Sequence, residues 1–284
     1  MPDRSTVQIL SDGPPLADSD AMGRRVLEQA FDLWINPELA RRKASGVLPE
    51  DFALWGAQRI QPPEGAVTIR INDEIRGVAS IKARRAVEKG DGIVLGDLEG
   101  LEDFDLPSDE LDNGHWTVLW TGERWFTSFN FMTQRNRCLL LLDKADHFLA
   151  ASRRAEAEGH AAVSVDTLFS ACELASKAHL VSSHTLPMGT KTHGPIHSGL
   201  NIGRRLGNIE SAFVDIFNKM NRLRGPYRYD DQQSESMPIG VEDFDIVETV
   251  IATERERLRS RLSDDIAGSE NGLPDAQPNL AGGA

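Results

Sequence analysis

Residues 125–157 read WFTSFNFMTQRNRCLLLLDKADHFLAASRRAEA, and within them the chain changes its periodicity. Up to Phe131 the stretch is crowded with aromatic residues, as a strand would be. From Met132 onward Cys138, Leu139, Leu142, Ala145, Phe148 and Leu149 recur at three- and four-residue spacing, the stripe of an amphipathic helix. The switch divides the chain into an α+β domain of unknown role over 21–130, with mostly antiparallel strands, and an all-α bundle over 131–264.

Toward the N-terminus, AVTIRIN alternates Val67, Ile69 and Ile71 with polar residues, a period of two that marks a half-buried strand. IRGVASIKA, GIVLGDL and HWTVLWTG follow in the same texture, and Trp120–Trp125 reads as a hairpin with Thr121, Gly122 and Glu123 at its tip. The acidic segment LEGLEDFDLPSDELDNG reads as a mobile connector. Upstream, Met22 to Gly46 is helical in pattern, interrupted at Asn36-Pro37, because a residue before proline is pushed out of the helical region. A second short helix is expected near Pro49-Glu50. All five tryptophans fall in this unit, where they read as core. Gly90, Gly92 and Gly96 lack the strand-then-helix setting of a phosphate loop and read as turns, as does Asp73-Glu74.

Toward the C-terminus the stripes predict a helix over 132–157, a second opening at Ser164 as its cap, a third over 192–206, a fourth capped by Asn208 and ended by Gly225-Pro226, and a last one over 241–262. Short connections between strong stripes predict a compact bundle. Residues 1–20 and 265–284 are polar and without periodicity, and are expected to be disordered or extended.

Composition narrows the function. The 284 residues carry 31 Lys and Arg against 44 Asp and Glu, a net charge of -13, which argues against a general nucleic-acid coat or a polybasic membrane binder. The charge is uneven: residues 131–230 sum to +4, while 1–130 and 231–284 sum to -9 and -8. A phosphate contact is therefore expected in the bundle's middle. Two isolated cysteines, Cys138 and Cys172, exclude a disulfide framework or zinc cage, and neither a secretory signal nor a membrane-spanning run is visible, so a cytoplasmic setting is expected.

The basic region ends in NRLRGPYRYDD, residues 221–231, placing Arg222, Arg224 and Arg228 beside Tyr227 and Tyr229. Forked guanidinium donors with aromatic faces suit planar anions and stacked bases. Taken alone, the plainer reading is of arginines solvating a helix end while the tyrosines pack. His193 and His197, four residues apart, share a face if the third helix has begun; without a third ligand they make a weak metal signal, so no metal and no cofactor is expected. His193 is expected to bond a backbone carbonyl at the helix entry.

The order of these pieces resembles the HEPN domain family: a long helix, a helix carrying LFSACELASKAHL, a loop opening through Lys191-Thr192-His193 into KTHGPIHSGL, a helix ending in RLRGPYRYDD, and a last amphipathic helix. The resemblance covers about residues 132–263. It implies a helical bundle that pairs with a second copy and, in many members, a metal-independent ribonuclease built on an arginine followed four to six residues later by histidine. Here the residues at that distance from Arg222 and Arg224 are Tyr227 and Tyr229, and no histidine follows His197. The resemblance therefore implies a non-cleaving accessory module, in a bacterial toxin–antitoxin or antiviral setting and with a partner encoded nearby. Its nucleotide or RNA phosphate would meet Lys191, Arg222, Arg224 and Arg228, with Tyr227, Tyr229 and His193 shaping the pocket. The alternatives are a ribonuclease using His193 or His197 with Arg224, and a purely structural interaction module.

Overall fold

A computed structural model describes residues 19–88, 90–92, 97–122, 124–229 and 239–259. The disordered ends expected at 1–20 and 265–284 lie outside these residues, except that Ser19 and Asp20 already belong to a helix.

The N-terminal region begins with α1 (Ser19–Ala30) and α2 (Asn36–Ala44), joined by a π-helical turn, Phe31–Ile35. The expected break at Asn36-Pro37 does not occur. The Asn36 amide reaches back five residues to the Phe31 carbonyl, and Pro37 falls in the first turn of α2, where its missing N–H costs nothing. The widened turn buries Ile35 completely and sets Phe31 and Trp34 edge-on to Trp116, with centroids at 6.4 and 5.5 Å. No helix forms near Pro49-Glu50; only a single turn closes there, from the Phe52 amide to the Pro49 carbonyl.

Six strands follow: β1 (Gly56–Gln61), β2 (Thr68–Ile71), β3 (Val78–Ala83), β4 (Leu98–Asp105), β5 (Gly114–Trp120) and β6 (Trp125–Asn130). They form an antiparallel sheet in the order β2-β1-β5-β6 and a separate β3-β4 pair. Trp120 pairs with Trp125 across the expected hairpin, and Gly122 supplies the positive φ of +94° that the turn requires. Glu123 and most of GIVLGDL lie outside the described residues. The acidic connector is instead a strand. Leu98–Asp105 pairs with β3, and Phe104, Asp105 and Leu106 are buried, so the segment is anchored rather than mobile.

The bundle comprises α3 (Arg135–Ala157), α4 (Ala161–Ser182), α5 (His193–Leu206), α6 (Ser211–Tyr229) and α7 (Val241–Leu258). Helix α4 lies at its centre, contributing Val165, Leu168, Phe169, Ala171, Cys172 and Ala175, all essentially inaccessible. Ser164 is not a cap: α4 starts at Ala161, and the Ser164 hydroxyl, one turn in, donates to the Ser152 carbonyl on α3 while Ser152 answers to Ser164 at 2.7 Å. Asn208 likewise closes α5 rather than opening α6, its amide bonding the Gly203 carbonyl beyond Gly207 at φ +75°. Helix α6 continues through Gly225-Pro226 to Tyr229. Proline there removes only the amide that would have met the Arg222 carbonyl, on an exposed last turn.

The two parts are stitched together at Asp112, whose carboxylate accepts the Asn136 amide at 2.9 Å and so caps the start of α3.

Candidate functional site

Helix α6 sorts the arginines by geometry. Arg224 and Arg228 are four residues apart and share a face, whereas Arg222 lies about 200° from Arg224 around the helix. Arg224 donates from Nε to one oxygen of Asp166 on α4 at 2.6 Å, and Arg228 donates to the other at 2.7 Å. Arg222 is exposed and forms no ion pair with any described residue. The structure therefore brings two of the three expected arginines together and holds the third apart.

Beneath the pair lies Phe169, one turn along α4 from Asp166. The Arg224 guanidinium sits over its ring, 4.7 Å from the centroid, a cation–π contact. The ring is wholly buried against Phe217, with centroids at 5.4 Å. His193, the first residue of α5, meets the same ring edge-on at 5.5 Å. Its Nδ1 is hydrogen-bonded to the Glu173 carboxylate, not to a backbone carbonyl as expected. The reason is periodicity: Glu173 lies four residues beyond Phe169, on the α4 face against which α5 begins. His197 lies 6.1 Å from the Phe217 ring, with Asn201 against its Nε2. Lys191 is exposed before α5, Tyr227 is half-buried against the bundle core, and Tyr229 is 77% exposed. Tyr229 and Asp166 together hold the Arg228 guanidinium above its ordinary pKa.

The floor of this cluster comes from Asp166, Phe169 and Glu173, none of which was among the expected site residues. Their spacing of three and four places them on one stripe of α4, and a carboxylate at either end of an apolar stripe is the signal that could have marked them.

Elsewhere, α7 carries a second polar group. Glu254 accepts from His179 on α4 at 2.8 Å and from Arg257 at 2.6 Å. Burial alone would raise the Glu254 pKa, but these two partners outweigh it and leave it lowered. His179 and Glu254 line a cavity of about 190 Å³, and a cavity of about 540 Å³ lies at the seam among Phe104, Ser128, Phe129 and Arg257. Neither is lined by Arg222, Arg224 or Arg228. Among the described residues no group of three or more His, Cys, Asp or Glu is placed to hold a metal ion, and no helix is long and apolar enough to cross a membrane.

No curated protein and no solved structure matched the chain. No family model matches the N-terminal part. Residues 139–259 match the model of the HEPN domain, and the described helices over that range fit it; the match points to a nucleotide- or RNA-related function.

Proposed function

We propose that this protein is a non-cleaving accessory or regulatory module that binds the phosphate of a nucleotide or RNA through its HEPN domain. In this reading it acts in a bacterial toxin–antitoxin or antiviral system, alongside a partner encoded nearby, and two copies pair through the bundle. The observation that supports it best is the state of Arg224. Its guanidinium carbon sits over the Phe169 ring and its Nε is spent on Asp166, while its two terminal nitrogens meet no acceptor among the described residues. A guanidinium held this way presents an unspent fork, the geometry that phosphate oxygens fit. Arg228 adds a second cation on the same face. Leu140 and Phe148 on α3, and Ile202 and Leu206 on α5, are exposed apolar residues that a second copy could cover.

A second reading rests on one observation, the pairing of His193 with Glu173. A carboxylate on Nδ1 fixes the imidazole tautomer and leaves Nε2 for proton transfer, as a ribonuclease would need. The readings separate when purified protein is incubated with transfer RNA and total RNA in the absence of metal. Binding that Arg224→Ala lowers at least tenfold, with the RNA intact, supports the module. Cleavage lost in both Arg224→Ala and His193→Ala establishes the nuclease. Binding untouched by Arg222→Ala combined with Arg224→Ala leaves only a structural role.

A further inference from the structure

We infer that Asp166 determines which anion the cleft accepts: a singly charged phosphodiester, as in an RNA backbone, in preference to a nucleoside polyphosphate. The inference rests on the phosphate-binding reading above and specifies its ligand. Asp166 takes one donor from each arginine, Nε of Arg224 and a terminal nitrogen of Arg228, and leaves both terminal nitrogens of Arg224 unspent. It thereby orders the two guanidiniums while cancelling one of their two charges. The three groups together carry +1, enough to balance one phosphodiester and too little for a triphosphate. The carboxylate of Glu173, engaged with His193 at an edge of the Phe169 ring, adds a second negative charge close to the cluster that disfavours a polyanion.

The geometry also resists rearrangement. Phe169 is wholly buried under Arg224, so the guanidinium cannot swing away from Asp166 to wrap a longer anion without losing its π contact. A phosphodiester needs no such movement, because it requires only the two unspent terminal nitrogens of Arg224. With side chains 25% to 43% exposed in this trio, solvent screens the charges and the discrimination is graded rather than absolute.

The test uses the full chain, a labelled ten-nucleotide single-stranded RNA with hydroxyl ends, and ATP and GTP as competitors in EDTA, read by fluorescence anisotropy. Wild-type protein should prefer the RNA. Asp166→Asn keeps a carbonyl oxygen for the arginines but raises the local charge to +2, so triphosphate affinity should rise roughly fivefold or more while RNA affinity changes by about twofold or less. Arg228→Gln lowers the local charge to zero and should shift the preference the opposite way; it provides the readout if Asp166→Asn fails to fold. Equal gains for RNA and triphosphate, a loss for both, or no change in the ratio in either variant would overturn the inference. If neither ligand binds wild-type protein, and Arg224→Ala behaves identically, the phosphate-binding reading itself is what has failed.

Discussion

Arg135, the first residue of α3, and Asp105, the last residue of β4, form a two-point ion pair across the seam, with both guanidinium terminal nitrogens on the carboxylate at 2.8 and 2.6 Å. Arg135 is 1% exposed, and its Nε donates to the Leu111 carbonyl at 3.1 Å. His115 stands on the same carboxylate oxygen at 3.4 Å, too long to satisfy its Nε2 by hydrogen bonding. The bundle is thus joined to the sheet region through a buried charge rather than an apolar patch.

Truncating one side of such a pair strands the other charge in a dry environment. Arg135→Ala should therefore cost about 3–5 kcal/mol, measured by urea unfolding of the full chain, although the residue is nowhere near the arginine cluster. The double variant Arg135→Met with Asp105→Leu should recover most of that loss, since a packed apolar pair does without the desolvation cost. Recovery absent from the double variant would show that the seam depends on the charge itself.

Acid should loosen the protein through two carboxylates. Burial alone would raise Asp105, but His115 and Arg135 reverse this and hold it well below the usual carboxylate range. Glu254 is lowered in the same way by His179 and Arg257. A carboxyl whose folded pKa is depressed binds its proton more readily in the unfolded chain, so its contribution is complete above the unfolded value of about 4 and is lost as pH falls below it. These groups should leave the urea midpoint flat between pH 7 and 5 and pull it down below about pH 4. Asp105→Asn should start lower at neutral pH and show a shallower acid limb; an acid limb as steep as wild type would assign the effect to other groups.

The bundle was legible in the sequence because each helix buries one stripe: Cys138, Leu142, Ala145 and Leu149 on α3 and Val165, Leu168, Phe169, Cys172 and Ala175 on α4 are buried, although Phe148, read in the same α3 stripe, is exposed. Helix ends were less legible. Ser164 and Asn208 carry the right chemistry for caps, but a serine can equally bond across a tight helix crossing, and an amide beyond a left-handed glycine closes the helix before it. Leu98–Asp105 was masked by its acids, because a strand at a seam can bury an aspartate when an arginine arrives from 30 residues away. The same blindness hid the cluster's floor. Arg224 was visible beside a tyrosine-rich turn, whereas its actual partners, Asp166 and Phe169, lie 58 and 55 positions earlier on another helix.

Neither cysteine should react in the folded protein. Cys138 and Cys172 are free and wholly inaccessible, and burial pushes the Cys138 thiol up to about 12 and Cys172 higher still. A thiol-reactive disulfide reagent at pH 8 should titrate essentially none in native protein and both in denaturant. Rapid labelling of either without unfolding would mean that the bundle opens locally around α3 and α4.

Phe169 is the position where stability and binding should separate. Its ring supports Arg224 on one face, His193 at an edge and Phe217 alongside, so it sets the cluster's geometry without reaching solvent. Phe169→Leu keeps an apolar side chain there and should cost about 1–3 kcal/mol through the volume it leaves unfilled. The flat π-face disappears with it, freeing Arg224 to rotate about its remaining bond to Asp166. Affinity for the ten-nucleotide RNA should fall roughly threefold to tenfold, in line with the loss of one cation–π contact and of the ordering it provides. Measured well below the variant's unfolding midpoint, that fall cannot come from unfolded protein. If Phe169→Leu is destabilised as expected yet binds RNA as wild type does, the aromatic ring is core alone and the orientation of Arg224 is set by Asp166 without it.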